Sequence, residues 1–186
     1  MALMDLFHRP TPTEIVEEHG PSVLAQLRRT FGPRADVDDV FQAVFVEVLR
    51  SLPRFRGHAS LRTWIHRITL NVAYQEMRHH YRARATSPLD EVDEPCSTQD
   101  MEEELAQAEA GRRLYEALDE LDPKKRMAVI LHDIEGLTLR EIGEQLGRPL
   151  QTVATQVRTG RAELAEALRR PAPRAEVLPM IPRRSR

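Results

Sequence analysis

The sequence predicts an all-α protein in which an acidic linker joins two small helical domains. Apolar residues recur with helical spacing along most of the chain, and Gly, Pro or capping residues fall between the helical segments. Charge is divided into blocks, with an acidic block between two basic ones. The length of 186 residues allows one ordinary domain or two small ones.

The first domain is expected at residues 13–84, after an N-terminal tail at residues 1–12. Residues 13–29 predict one helix or two, because Gly20-Pro21 should interrupt the apolar pattern. Gly32-Pro33 then closes this segment.

Two further helices complete the first domain. Asp36 is a good N-cap, and the apolar residues after it recur at i, i+3, i+4, i+7 and i+11 until Pro53 stops the helix. A loop follows at residues 54–59. Ser60 can then cap a helix that runs to about Arg84.

Residues 85–110 contain the acidic linker and the start of the next helix. They hold nine Asp or Glu and no Lys or Arg, whereas residues 47–84 hold eight Arg and two Glu. Each block could be an ordinary solvated face, but an acidic block between two helical units favours a linker. The Pro- and Arg-rich tail at residues 171–186 has no periodic pattern, and we expect it to be disordered.

The second domain is expected at residues 111–170 and has the strongest local signals. Asp122-Pro123 is an N-cap followed by Pro at the first helical position, and Thr138 with Glu141 forms a capping box. Gly147 supplies a tight turn before the last helix. The residues expected on the buried face of that helix are Leu150, Val153, Ala154, Val157, Leu164 and Leu168.

Two helices joined by a short glycine turn form a helix-turn-helix. The alternative is a plain helical hairpin in a bundle, but the capping box and the short first helix favour DNA binding. Gln can pair with adenine, Thr can contact bases, and Arg can bind phosphates. The candidate DNA-binding residues of this unit are Arg148, Gln151, Thr152, Thr155, Gln156, Arg158, Thr159 and Arg161.

The helix from Leu61 to Arg84 places basic and aromatic residues outside its apolar stripe. Arg releases counterions from phosphates, and aromatic rings provide flat faces for unstacked bases. This composition suits single-stranded nucleic acid, although a solvated basic helix with Trp64 in the core is the alternative. On the preceding helix, Val46 lies outward between Asp39 and Gln42, either as one unimportant exposed Val or as part of a partner-docking face.

No sequence pattern supports catalysis. A Gly-rich phosphate loop, a nucleophile motif and a metal-ligand constellation are all lacking, so we expect no enzyme activity, no cofactor and no metal. The lone Cys96 cannot form an internal disulfide, which fits a reducing compartment. Neither a transmembrane stretch nor a secretory signal is visible, so a cytoplasmic protein without membrane contact of its own is expected.

Two stretches carry a resemblance to a known family: FRGHASLRTWIHRITLNVA and ALDELDPKKRMAVILHDIEGLTLREIGEQLG. Together with the acidic segment between them, they resemble the bacterial sigma factors of the extracytoplasmic-function group, in the sigma-70 superfamily. The resemblance extends from about Glu14 to Arg170. It implies a region-two-like domain, a linker and a region-four-like domain, and a protein that directs promoter-specific transcription initiation.

The resemblance also implies partners and roles for individual residues. Core RNA polymerase is expected to contact the protein through its β′ clamp helices and its β flap, and the clamp helices would bind Asp39, Gln42, Phe45 and Val46. The helix-turn-helix would read the minus-thirty-five element of promoter DNA, and an anti-sigma factor is an expected inhibitor. The residues implied in minus-ten recognition and melting are Phe55, Arg56, His58, Arg62, Trp64, Arg67, Asn71, Tyr74 and Arg78.

Two lesser interpretations remain open from the sequence. One is a helix-turn-helix regulator that acts without RNA polymerase. The other is a sigma-like adaptor that no longer reads DNA. The adaptor interpretation draws on three departures from the family pattern, at Ala43, Gln75 and Ala154.

Overall fold

The computed structural model describes residues 11–33, 36–86 and 102–170, and these residues form helices and their connections. The prediction of an all-α fold is confirmed. Residues 87–101 of the predicted linker, residues 1–10 of the predicted N-terminal tail and the whole predicted C-terminal tail lie outside the described residues. The helices are α1 Pro12–Phe31, α2 Val37–Ser51, α3 Leu61–Thr86, α4 Glu102–Asp119, α5 Pro123–Val129, α6 Leu139–Leu146 and α7 Leu150–Arg169. The predicted tail was two residues too long, because Thr11 caps α1 and Pro12 begins it.

Helix α1 is continuous, so the predicted interruption at Gly20-Pro21 was wrong. Proline in a helix removes one backbone hydrogen bond, but a helix persists where tertiary packing holds both of its halves. Here Ile15 before the proline and Leu27 after it are both buried. Gly20 also lies against the ring of Phe41, where an added Cβ would be 3.5 Å from the ring. Packing on both sides of Pro21 therefore keeps α1 as one helix.

Helices α1, α2 and α3 pack together around the buried side chains of Val44, Val48 and Ile65. Ser60 caps α3 as predicted, because its hydroxyl accepts a hydrogen bond from the Thr63 amide at 3.1 Å. Asp36 precedes α2 as predicted, but its carboxylate makes no capping hydrogen bond. It lies instead 3.1 Å from His80 Nε2 and thereby ties the start of α2 to α3.

The C-terminal helices form a second unit in which α7 contacts α4, α5 and α6. Asp122 caps α5 as predicted, and the π-helical turn Ile130–Ile134 extends α5. The predicted capping box at Thr138 is present at the start of α6. Gly147 has φ 63° and ψ 38°, which is the left-handed conformation that a tight turn requires. The start of α6 and the turn between α6 and α7 are therefore set by local signals.

Leu150 is 55% exposed, so its predicted burial was wrong. It occupies the first position of α7, before the helix reaches the core, whereas Val153 and Val157 one and two turns later are buried. The apolar pattern was extended one turn too far toward the N-terminus, because the buried face of the helix begins at Val153.

The two units pack against each other and share one cluster of buried apolar side chains. The cluster extends from Leu27 and Phe31 in α1 to Met127 and Ile130 in the second unit. The sequence did not predict this packing, because residues far apart in the chain form it.

Helices α5 and α7 approach closely where α7 carries Gly160. An added Cβ there would be 2.7 Å from Val129 Cγ2 and 3.3 Å from Lys125 Cβ. We expect Gly160→Ala to lower the free energy of unfolding by about 1–3 kcal/mol through overpacking, in spite of the higher helix propensity of Ala. Urea unfolding followed by circular dichroism measures this.

Gly111→Ala in α4 is the matched control, because nothing lies within 4 Å of an added Cβ at that position. It should stabilise the protein by up to about 1 kcal/mol through helix propensity alone. Equal effects of the two substitutions would contradict the close approach at Gly160.

Candidate functional site

The outer face of α2 carries an apolar residue between polar ones. Asp39, Gln42 and Val46 are all exposed, and Val46 is 66% exposed. Their spacing of three and four residues places them on one side of the helix. Phe45 lies on the inner side, where it is buried with its ring centre 4.9 Å from that of Phe41. Three of the four predicted polymerase-binding residues are thus at the surface. The fourth, Phe45, packs against Phe41 on the inner side of the helix.

The loop before α3 is held by an aromatic pair. The ring centres of Phe55 and Trp64 are 5.0 Å apart with an angle of 43° between the planes, and both side chains are half-buried. Such a tilted pair stabilises beyond the area that it buries. Arg56 and His58 are exposed on the same loop, so the pair fixes a loop that presents its polar side chains to solvent.

Helix α3 presents a basic face with one half-buried aromatic ring. Arg62, Arg67, Asn71 and Arg78 are exposed along the helix, as predicted for residues that contact nucleic acid. Tyr74 is half-buried, and the guanidinium of Arg78 lies 5.9 Å from the centre of its ring. The face combines phosphate-binding charge with a flat ring, which are the two components that single-stranded nucleic acid requires.

The outward face of α7 is polar and internally ordered. Gln151, Thr152, Thr155 and Arg158 are exposed. The Thr155 hydroxyl donates to the Gln151 carbonyl at 2.9 Å, and the Thr159 hydroxyl donates to the Thr155 carbonyl at 2.8 Å. These hydroxyl protons are occupied by the backbone, so the threonines would offer a base their oxygen lone pairs and methyl groups.

Three of the predicted DNA-binding residues, Arg148, Gln156 and Arg161, make side-chain hydrogen bonds within the second unit. Gln156 is half-buried, and its side-chain oxygen accepts a hydrogen bond from Arg148 Nη1 at 3.1 Å. Arg161 pairs with Asp133 through both carboxylate oxygens, with Nε 2.9 Å from Oδ2. The hydrogen bond from Arg161 lowers the pKa of Asp133 below its ordinary value. This pair ties α7 to the π-helical turn.

Asp133 contacts the predicted site residue Arg161, and Gln145 contacts His66 on α3; the sequence predicted neither contact. Asp133 lies 28 positions before Arg161, and Gln145 Oε1 lies 3.4 Å from Nε2 of His66, 79 positions earlier. No local periodicity links positions so far apart. A search of the whole chain for acidic residues that could pair with a basic residue such as Arg161 could have found Asp133.

The structure also brings the predicted minus-ten and minus-thirty-five residues together. The guanidinium of Arg148, in the turn before α7, lies 5.2 Å from the centre of the Tyr74 ring on α3. This distance is typical of a cation–π contact. The α2 residues predicted to bind polymerase take no part in this contact.

Within the described residues, no group of three His, Cys, Asp or Glu side chains is placed to hold a metal ion. A search of the same residues found no helix that is long and apolar enough to cross a membrane.

Comparison with known proteins gives matches to both units in order. The Sigma-70 region 2 family matches residues 15–83, and the Sigma-70 region 4 family matches residues 111–164. The chain is 34% identical over 160 residues to the ECF RNA polymerase sigma factor SigE of Mycolicibacterium smegmatis, a match covering 86% of this chain and 62% of that protein. The chain belongs to the ECF group of the sigma-70 family.

A second ECF sigma factor matches at lower identity. The ECF RNA polymerase sigma-E factor of Escherichia coli strain K12 is 26% identical over 142 residues, which cover 72% of this chain and 74% of that protein. The chain spans less than two thirds of its mycobacterial relative, at 62% of that protein's length.

Solved structures share the fold of this ECF family member. CnrH, solved in complex with the cytosolic domain of CnrY, has a TM-score of 0.53 and 29% identity, and the match covers 84% of this chain and 86% of CnrH. The sigma factor RpoE of Bartonella quintana, solved in complex with the anti-sigma factor NepR, has a TM-score of 0.56 at 18% identity. That match covers 84% of this chain and 95% of RpoE.

The Asp133–Arg161 pair predicts a pH-dependent contribution to stability. Because the pKa of Asp133 is lowered in the folded protein, its contribution is present above the unfolded pKa of about 4 and is lost as the pH falls through the folded pKa. Asp133→Asn should therefore lower the free energy of unfolding by about 0.5–1 kcal/mol at pH 7, a magnitude that allows for solvent screening. The difference from wild type should shrink below about pH 4.

Urea unfolding at several pH values between 7 and 3 measures this difference. Glu144→Gln removes the exposed pair with Arg140 inside α6, and it serves as the control. Its effect should stay below about 0.5 kcal/mol, because such exposed pairs contribute little. A penalty for Asp133→Asn that does not change with pH would rule out the ion pair as its cause.

Proposed function

We propose that the chain binds core RNA polymerase and directs promoter-specific initiation of transcription. The observation that carries the proposal is the presence of both sigma-70 regions, in order, in one chain. Three distinct exposed faces on α2, α3 and α7 fit the three contacts that such a function needs. On this proposal the protein works in the cytoplasm together with RNA polymerase. It would not itself catalyse a reaction.

The α2 face is proposed to dock on the β′ clamp helices of core polymerase. Val46 would lose its contact with water on docking, which stabilises a complex in proportion to the apolar area buried. Asp39 and Gln42 on the same face would supply polar contacts that fix the register of the two partners. Phe45 would act indirectly, because its packing against Phe41 holds the helix in position.

The α3 face and its preceding loop are proposed to hold the minus-ten element. Melting exposes unpaired bases, and an unpaired base can stack on an aromatic ring at about 1–3 kcal/mol per base. Phe55 and Trp64 fix the loop, while Arg56, Arg62 and Arg67 would neutralise phosphates of the separated strand. His58, Asn71, Tyr74 and Arg78 complete the proposed surface.

Helix α7 is proposed to enter the major groove at the minus-thirty-five element. Gln151 is exposed on the first turn of the helix, where recognition helices read base edges, and it can pair with adenine. Arg158 would bind phosphate. Arg148 donates a hydrogen bond to Gln156, which restricts the side-chain conformations in which Gln156 would contact a base.

An anti-sigma factor is a proposed further partner. The Bartonella RpoE was solved with the anti-sigma factor NepR, and CnrH was solved with part of CnrY. A partner of this kind would inhibit the chain by covering its polymerase- or DNA-binding faces. Co-purification from native cells would identify it.

The decisive test is multi-round transcription in vitro with purified core polymerase, this protein and DNA fragments from its own genomic neighbourhood. We expect discrete transcripts that require both the protein and core polymerase. Binding to polymerase without any transcript would favour the adaptor interpretation. Stable binding to duplex DNA with no dependence on polymerase would favour the regulator interpretation.

Single substitutions should separate the contacts. Val46→Asp should weaken binding to core polymerase by at least about tenfold, because it places a charge in an apolar contact. Gln151→Ala should leave polymerase binding unchanged but cost about 1–3 kcal/mol of discrimination at the minus-thirty-five element. Both binding constants can be measured by fluorescence anisotropy.

Arg169→Ala is the control for both substitutions, because Arg169 is an exposed residue at the far end of α7 that pairs with Glu166. It should change neither constant. Loss of polymerase binding in Gln151→Ala as well as in Val46→Asp would contradict the division of roles between α2 and α7.

A further inference from the structure

Leu150 is a large apolar side chain that the fold leaves at the surface of the helix-turn-helix. It is 55% exposed. Within residues 11–33, 36–86 and 102–170, the other exposed large hydrophobic side chains are Val46 on α2 and Tyr81 on α3. A single exposed apolar residue is ordinary in a soluble protein. The position and the surroundings of Leu150 therefore decide whether it has a role.

The turn before α7 holds the backbone of Leu150 in place. The Arg148 amide donates a hydrogen bond to the Gly143 carbonyl at 2.9 Å. Gly143 lets the turn lie close to α6, because an added Cβ there would be 2.8 Å from the Arg148 carbonyl oxygen. Pro149, with φ −58°, restricts the backbone directly before Leu150. Leu150 is thus exposed on an ordered backbone, so contact with a partner would cost it little conformational entropy.

Leu150 begins a row of side chains on α7 that is apolar at its amino-terminal end. Ala154 follows one turn later and is half-buried, and Arg158 follows after a second turn and is exposed. Side chains at i, i+4 and i+8 lie along the same side of a helix. Gln151, which is proposed to contact adenine, is exposed beside Leu150 on the first turn. The row therefore presents methyl groups next to a side chain that is proposed to contact a base.

The charges that border Leu150 favour a partner with negative charge. Leu150 lines a shallow depression at the surface together with Arg140, Glu144 and Arg148. Arg140 Nε donates to Glu144 Oε1 at 3.1 Å, so the carboxylate of this depression is paired. Two guanidinium groups and one carboxylate leave a positive balance beside the leucine. Phosphates next to a DNA groove match this balance.

An apolar side chain at the start of a recognition helix can discriminate between bases in one way. The first residues of such a helix contact base edges in the major groove. There the 5-methyl group of thymine is the apolar group that distinguishes one base from the others. The Leu150 side chain has no hydrogen-bond donor or acceptor, so it cannot pair with the polar edge of guanine, adenine or cytosine.

We propose that Leu150 is a specificity residue for thymine, and that its side chain packs against the 5-methyl group of one thymine in the minus-thirty-five element. This inference rests on the proposed function and adds the chemical group that α7 recognises at one position. Ala154 is small enough to leave room beside Leu150 for the methyl group. Burial of one methyl-sized group corresponds to roughly a fourfold gain in affinity.

Replacement of single thymines by uracil tests the contact, because uracil pairs with adenine as thymine does and lacks only the 5-methyl group. The probe is a fluorescently labelled promoter duplex, chosen from a transcript start site of the protein with core polymerase. Each thymine of the minus-thirty-five element, on either strand, is replaced in turn, and binding of the holoenzyme is measured by fluorescence anisotropy.

We expect uracil at one position to weaken binding of the wild-type holoenzyme by about fourfold. In Leu150→Ala the same uracil should change the affinity by less than about 1.5-fold, because the contact is already lost and the two changes are coupled. An element in which no uracil weakens wild-type binding, or one without thymine, would overturn the proposal. A uracil effect of equal size in the wild type and in Leu150→Ala would also overturn it.

Two further variants separate the apolar contact from the shape of the side chain. Leu150→Met keeps an apolar side chain of similar volume and should retain the uracil effect. Leu150→Asn keeps the branched shape but is polar, so it should lose the effect. Arg169→Ala, at the far end of α7, is the control and should show the wild-type effect. The opposite behaviour of the Met and Asn variants would contradict an apolar contact.

Binding to core polymerase in the absence of DNA distinguishes a DNA contact from a protein contact. Leu150→Ala should bind core polymerase as tightly as the wild type does. Weaker polymerase binding, with no difference between thymine and uracil, would make Leu150 a polymerase contact and overturn the proposal. Failure of the wild-type protein to support any transcript would reject the proposed function itself. Transcription without a uracil effect would reject only the role of Leu150.

Discussion

Burial of the Arg126 guanidinium is the constraint on which the arrangement of the helices depends. A buried charge is costly unless it is paired and hydrogen-bonded. Here the three partners come from the ends of two other helices: Asp119 at the end of α4, and the Thr30 carbonyl and the face of the Phe31 ring at the end of α1. Satisfying one side chain therefore fixes these two helix ends relative to α5. The apolar cluster shared by the two units surrounds this point.

Ion pairs and hydrogen bonds at the surface have a different role from the core. Arg161 with Asp133 and Arg148 with Gln156 each restrain a side chain of the helix-turn-helix. Exposed pairs add little to stability, but a restrained side chain loses less conformational entropy on binding a partner. Lys125 and Glu163, 2.5 Å apart, tie α5 to α7 in the same way. Helix α7 is thus held in place by side chains of the neighbouring helices.

The three faces proposed to bind partners differ in their exposure to solvent. The α2 face is open to solvent, with Val46 exposed among polar residues. The α3 face and the turn before α7 face each other through Tyr74 and Arg148. A cation–π contact and a few hydrogen bonds are individually weak, so the energy of binding a large partner can replace them. The α2 face is therefore accessible in this structure, whereas part of the α3 face is covered.

The sequence by itself determined the all-α class and the local geometry of the helix-turn-helix. The capping box at Thr138 and the turn at Gly147 depend on interactions over a few residues, and such interactions can be predicted from local spacing. Most of the candidate site was predictable for the same reason, because helical periodicity separates outward from inward positions. Val46 was correctly placed outward.

Only the tertiary structure decided the features that depend on contacts between distant residues. Packing on both sides of Pro21 kept α1 continuous, and the position of Leu150 at the start of α7 left it exposed. The contact between Tyr115 and Gly32 joins positions 83 residues apart. No local pattern encodes such a pair, because its energy exists only after both units have folded and buried the surface between them.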